Sequence, residues 1–276
     1  MKKVFSGIFL GLILIMTSSP AYAADFQIKV DGVTIASDVN PEVKSNRTMV
    51  PLRVISENLG VNVTWTDAQI TLTKNDIQVT LKLNSNQVVK NGKTELLDVE
   101  PYMKNNRTFV PMRFLAETFG SNITYKNGTV TVETQPLFID GIKVKALQYE
   151  YHMTLGGVVQ QINGNGYNEA IYNTFIKNNG SKIEAPTYNP WDSHPIPVGS
   201  YDKNAQFDFL DQNSNSIKRF DIYFSTGGDS GGGVLVHDTT ANHWYVYSDT
   251  ARLGILQLID TASLNGFVTV MSNTVP

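Results

Sequence analysis

The chain has 276 residues, carries 22 Lys and Arg against 25 Asp and Glu for a net charge of −3, and contains no cysteine. That charge balance argues against a nucleic-acid partner, which needs clustered Lys and Arg to meet phosphate. Without thiols there can be no disulfide staple, cysteine nucleophile, thiolate metal site or lipid-modified N-terminal cysteine.

Residues 1–23 have the pattern of a secretory signal. Lys2 and Lys3 make a basic start, residues 4–16 are apolar, and Ala21-Tyr22-Ala23 forms a small-x-small cleavage site before Ala24. The apolar run is shorter than the roughly 20 residues a membrane span needs. No later stretch is apolar enough to form a second one. The expected product is an exported protein starting at Ala24, without a transmembrane segment after cleavage.

Residues 26–30 alternate apolar and polar side chains, and Asp31-Gly32 turns the chain into a second strand at 33–35. Residues 48–50 are extended. Pro51 suits the first position of a helix, because its missing N–H is not needed there. Leu52, Ile55 and Leu59 share one helical face, Arg53 and Glu57 stand four apart on another, and Gly60 fits a left-handed stop. Strands are expected at 61–65, 70–73 and 77–83.

This plan is then written again 60 residues later without insertion or deletion. Residues 46–65 and 106–125 are identical at ten of twenty positions. Upstream, Gly32, Asp38, Pro41 and Lys44 return as Gly92, Asp98, Pro101 and Lys104. The second copy predicts a turn at Asn91-Gly92, a helix from Pro111 to Gly120, and strands at 123–125 and 130–133. A repeat of this size is one supersecondary unit made twice. Each copy is expected to lay one short helix on a twisted antiparallel sheet. Open strand edges favour a shared sheet or closely packed interface between the copies. Arg47, Arg53, Arg107 and Arg113 are expected to pair with carboxylates such as Asp38, Glu57, Asp98 and Glu117, or to brace turn carbonyls.

The doubled string Asn-Arg-Thr-x-Val-Pro-x-Arg, followed by a short helix and Gly-x-Asn-x-Thr-aromatic, resembles the copper amine oxidase N-terminal domain-like family. The resemblance covers about residues 26–134. It implies a stalk domain of secreted Gram-positive bacterial proteins, with a helix on a curved sheet and a non-catalytic spacer role. The oxidase itself is not implied. It needs a far larger catalytic domain, a tyrosine-derived quinone in an Asn-Tyr-Asp/Glu motif, and three copper-binding histidines. This chain has four histidines, none of them in the repeat, and lacks that motif. No cofactor and no metal are expected.

After Pro136 the repeat ends. A strand pair is expected around Asp140-Gly141, a helix at 167–177 stopped by Gly180, and alternating strands at 207–210 and 217–224. A hairpin at 234–237 and 244–247, a helix at 253–259 and a strand at 266–271 follow. The expected organisation is α+β: a signal at 1–23, two tandem modules at 24–134, and a separate α+β domain of unknown type at 135–276.

Gly228-Asp229-Ser230-Gly231-Gly232 copies the nucleophile loop of chymotrypsin-like serine proteases. A hydrolase would use Ser230, with His194 or His152 as base and Asp208 or Asp221 orienting it. Neither histidine stands in an Ala-Ala-His-Cys-like context. The stretch from Pro136 to Ser230 is also too short for the first barrel and half the second. A glycine-rich strand connection is the preferred assignment. Asp211-x-Asn213-x-Asn215 opens like a calcium loop, but has Ser216 and Ile222 where that loop needs Gly and Glu, so a hairpin turn is expected. Trp191, Tyr201 and Trp244, with Tyr245 and Tyr247, are candidates for a sugar-stacking platform. Strand alternation separates Trp244 from Tyr245 and Tyr247, and one of those faces is expected in the core.

The favoured function at this stage is a secreted, non-catalytic envelope protein. Its stalk would present a C-terminal domain to a cell-wall polymer or another envelope protein. A serine hydrolase and an envelope-carbohydrate module are the competing classes.

Overall fold

A computed structural model of the chain describes residues 27–66, 69–126, 128–153, 156–191, 199–226 and 233–275. The first copy of the repeat forms β1 (Gln27–Val30), β2 (Val33–Thr34), β3 (Glu42–Lys44), β4 (Arg47–Pro51), α1 (Leu52–Asn58), β5 (Asn62–Trp65), β6 (Ile70–Lys74) and β7 (Ile77–Leu81). The second forms β8 (Gln87–Lys90), β9 (Lys93–Leu96), β10 (Tyr102–Lys104), β11 (Arg107–Pro111), α2 (Met112–Thr118), β12 (Asn122–Lys126) and β13 (Thr129–Glu133).

Turn chemistry sets these boundaries. Asp31-Gly32 and Asn91-Gly92 have positive φ at both residues, as tight hairpins between right-twisted strands require. Pro51 and Pro111 are extended and stand at the N-cap, so each helix begins one residue later than expected. The helices have only seven residues each. Helices that short are held by packing rather than propensity. Leu52, Ile55 and Leu59 are buried, as are Met112, Leu115 and Phe119.

Each of three sheets draws strands from both copies. The orders are β12-β13-β1-β2, β10-β11-β4-β3 and β5-β6-β7-β8-β9. A helix on a purely antiparallel sheet of its own copy is therefore not the arrangement found. One copy leaves edges open and the other closes them. β1 pairs with β13 in parallel, Ile28 beside Val130 and Val30 beside Val132. In the third sheet the corresponding strands β6 and β8 are also parallel, but β7 lies between them. The continuous chain there has to pass through β7, whereas β1 and β13 are not consecutive and can touch directly.

The arginines bridge the copies reciprocally. Arg47 Nε donates to Asp98 Oδ2 at 2.7 Å, and Arg107 pairs with Asp38. The Arg107 guanidinium holds the Asp38 carboxyl below its ordinary range. Arg113 stands 3.8 Å from Glu117, while the Arg53 guanidinium lies over the Trp65 ring at 5.8 Å.

The remaining elements are β14 (Phe138–Ile139), β15 (Ile142–Lys143), β16 (Ala146–Met153), β17 (Gly156–Ile162), α3 (Asn165–Lys177), β18 (Asn179–Ile183), β19 (Tyr188–Asn189), β20 (Tyr201–Leu210), β21 (Ser216–Ser225), β22 (Val234–Asp238), β23 (His243–Tyr247), α4 (Asp249–Leu264) and β24 (Val268–Asn273). β14 and β15 form a separate two-stranded sheet, and the other strands give one large sheet ordered β18-β23-β22-β21-β20-β16-β17-β24, with β19 added beside β20. Asn178, not Gly180, caps α3. Gly180 belongs to β18, where a Cβ would come 2.8 Å from the Val246 carbonyl oxygen. Ser248 caps α4 by accepting from the Ala251 N–H. Phe175 of α3 stacks on Phe220 at 4.5 Å and meets Phe207 at 5.0 Å. Ile255 and Ile259 of α4 join the same core.

That core runs on without a break into the repeats. Asp31 accepts from the Thr134 N–H, the Thr134 hydroxyl and the Asn165 N–H. Gly60 approaches Gly166 so closely that a Cβ on it would lie 2.7 Å from the Gly166 oxygen. Lys74 pairs with Glu169 at 2.9 Å. The class is α+β and sheet-rich. Among the described residues no helix is long and apolar enough to cross a membrane.

Candidate functional site

Strand alternation divides the large sheet into two unlike faces. Phe207 and Phe209 of β20, with Phe220 and Ile222 of β21, are buried in the core with α3 and α4. The alternating positions Gln206, Asp208, Arg219, Asp221 and Tyr223 belong to the opposite face. A register shift between Lys203 and Ala205 brings Lys203 onto that face too.

Lys203 is the centre of a charged cluster. Its ammonium lies 2.9 Å from Asp221 Oδ2, donates to Gln206 Oε1 at 2.8 Å, and sits 4.0 Å from the centroid of the Trp191 ring. Burial pulls the Lys203 pKa below its ordinary value, and the Asp221 carboxylate opposes that pull. Arg219 grips Asp221 with two bonds, Nε to Oδ1 and Nη2 to Oδ2, both 2.8 Å. Those bonds raise the Arg219 pKa. Burial raises that of Asp208, whose Oδ1 accepts from Ser216 Oγ at 2.5 Å.

Trp191 closes the cluster from above. Its indole N–H donates to the Lys203 carbonyl at 3.1 Å, and His152 stacks on its ring at 4.0 Å. His152 Nε2 stands 2.9 Å from Glu150 Oε1. A hydrophobic cluster of Tyr223, Leu235 and Trp244 occupies the next part of the face, with Tyr201 and Ile183 packed on it. Tyr188 and His237 cover Trp244 at 4.9 and 4.3 Å. Burial raises the Tyr223 pKa far above its usual value.

The proposed residues are only partly brought together. Ser230 and His194 lie outside the described residues. Asp208 stands eight residues along from Ser200, roughly 25 Å at strand rise, near the turn that begins at Asp211. Ser200 and Thr226, which flank residues 192–198 and 227–232, are hydrogen-bonded to each other at the far end. Asp208 is thus bound to Ser216 and remote from the point where both segments attach. Asp221 is committed to Lys203 and Arg219, and His152 to Glu150 and Trp191. Trp244 is buried and presents no open face. Trp191 and Tyr201 are half-buried. Asp211 uses its carboxylate on the Asn213 and Asn215 N–H groups, as a hairpin turn does. Among the described residues no group of three or more His, Asp or Glu could hold a metal ion.

Lys203, Glu150 and Arg219 were not singled out from the sequence. The available signal was the interleaving of Gln206 and Asp208 with Phe207 and Phe209. It marks a strand whose second face is polar, but it does not say which charges meet across neighbouring strands. Chemically the cluster holds a fixed set of charges beneath Trp191 and leaves Trp191 and Glu150 half-buried and His152 exposed at its rim.

Comparison with known proteins adds one match. Residues 29–134 fit the family model of the copper amine oxidase N-terminal domain, and the rest of the chain has no family match. No curated protein and no solved structure matches the chain.

Proposed function

We propose that this is a secreted, non-catalytic protein of a Gram-positive cell envelope. In this reading the two repeats act together as one stalk-like support, and the second half presents its charged and aromatic sheet face to a cell-wall polymer or another envelope protein. The observation that carries it is the reciprocal pairing of Arg47 with Asp98 and Arg107 with Asp38, in the segment that fits the family model. Residues written twice are used here to lock one copy to the other, which suits a support. The core continuous with α3 and α4 adds to this, because a support must transmit position to what it carries.

Expression of the full chain in a Gram-positive host tests the proposal. The protein should leave the cytoplasm, begin at Ala24, and be retained on purified cell wall or by a defined envelope protein. Retention in the cytoplasm with an intact N-terminus would refute export. Separately, a fluorophosphonate probe should not label the purified chain. Labelling that Ser230→Ala abolishes would make the protein a serine hydrolase instead.

A further inference from the structure

The internal symmetry that relates the two copies also relates two surface grooves, and they are unequal. One, of about 860 Å³, lies between the start of α1, the β5–β6 hairpin and the turn before β11. Its counterpart at the start of α2 has about 320 Å³. Both contain the cross-copy Arg–Asp pair, the helix-starting proline and the arginine two residues after it. Those shared residues belong to the architecture. What differs is Val54 in the large groove against Phe114 in the small one, a larger ring filling the equivalent space. Trp65, Gln69, Leu83 and Met103 line only the large groove.

We propose that the large groove binds a pyranose oligosaccharide. Its size falls within the range of small-molecule sites, about 300–1,000 Å³. Its floor is aliphatic, from Val54, Ile70 and Leu83, and Trp65 stands 40% exposed beside it. The rim carries Asn106 and Gln69 beside the architectural Asp38–Arg107 pair and Arg53. Asn106 and Gln69 carry planar amides, each presenting a donor and an acceptor side by side. Vicinal hydroxyl groups present a matching pair. The apolar C–H face of a pyranose ring complements an indole or an aliphatic floor. The site lies in the repeat half and stands apart from the export and stalk proposal.

The test uses the full chain on a printed array of pyranose oligosaccharides that includes chitohexaose and cellohexaose, followed by calorimetric titration of the retained glycan. At least one should bind. Val54→Phe copies the residue already accommodated at position 114, so it fills the groove with a side chain the fold accepts. It should weaken binding at least tenfold with the melting temperature kept. Trp65→Ala, at an exposed position, should also weaken binding at least tenfold, and Phe114→Val should not weaken it. The proposal is overturned if no pyranose is retained, or if Val54→Phe and Trp65→Ala bind as tightly as the wild type.

Discussion

Val50 lies directly opposite Val110 where β4 and β11 pair antiparallel. The two valines are the same position of the repeat, so the axis relating the copies passes between them. Their neighbours confirm this, Met49 facing Pro111 and Pro51 facing Phe109. The copies therefore meet through equivalent residues, as the two halves of a symmetric dimer do. The buried helix faces on either side of the axis belong to one core.

This predicts how the protein melts. Leu59 is fully buried in the shared core, and Leu59→Ala should cost about 2–5 kcal/mol. The whole chain should show one transition at a lower temperature by calorimetry. Two transitions, with only the first displaced, would mean that the copies unfold independently.

Gly60 and Gly120 are equivalent and both left-handed, with φ of +70° and +73°. Gly60 packs against the Gly166 backbone, whereas a Cβ at Gly120 would meet only the Gln135 side chain, at 3.6 Å. Gly120→Ala should cost about 1–2 kcal/mol, the left-handed penalty alone. Gly60→Ala should cost clearly more, because the Gly166 backbone must also move. Equal losses in chemical denaturation would show that the Gly60–Gly166 approach carries no constraint.

Asp221 is buried between Lys203 and Arg219. Asp221→Asn would leave two cations without their counter-charge and should cost on the order of 3–5 kcal/mol. The double change Lys203→Met with Asp221→Leu should recover part of that loss, since the buried charge pair is then removed together. Denaturant midpoints of the single and double variants measure the difference. A double variant no more stable than Asp221→Asn would argue against the pair as its origin.

Alkaline pH should destabilise the fold through its buried phenols. Burial raises Tyr149 and Tyr167 to about 12 from the ordinary 10.0. A raised folded-state pKa means that the native state holds the proton longer than the unfolded chain. The stabilisation is thus complete below pH 10 and disappears as pH rises towards 12, by at most about 1.4 kcal/mol per pH unit for each tyrosine. Tyr149→Phe should make the decline between those limits shallower by about one proton. An unchanged slope in denaturation measured at several pH values would refute the assignment.

Much of the repeat half could be read directly from the chain. Positive-φ turns at Asp31-Gly32 and Asn91-Gly92, prolines before the helices and glycines after them are local requirements of the backbone. The apolar spacing of Leu52, Ile55 and Leu59 likewise depends only on helical period. The second half was less legible. The residue pattern does not mark the long strands β16 and β17 or the short β18 and β19, and Gly180 serves a close strand contact instead of stopping α3. The period of Tyr149 or Val158 marks a buried face without naming its neighbour.

By itself the sequence determined the duplication, the fold class and the carboxylates available to the repeat arginines, because these follow from identity at a spacing of 60 and from local backbone and charge preferences. Only the tertiary structure decided that Arg47 reaches Asp98 instead of a carboxylate in its own copy, that β1 runs beside β13, and that Lys203 meets Asp221 beneath Trp191. Each is a pairing between residues distant in the chain. It is selected by which strand edge remains open and which charge must be neutralised on burial, and neither condition exists until the core has formed.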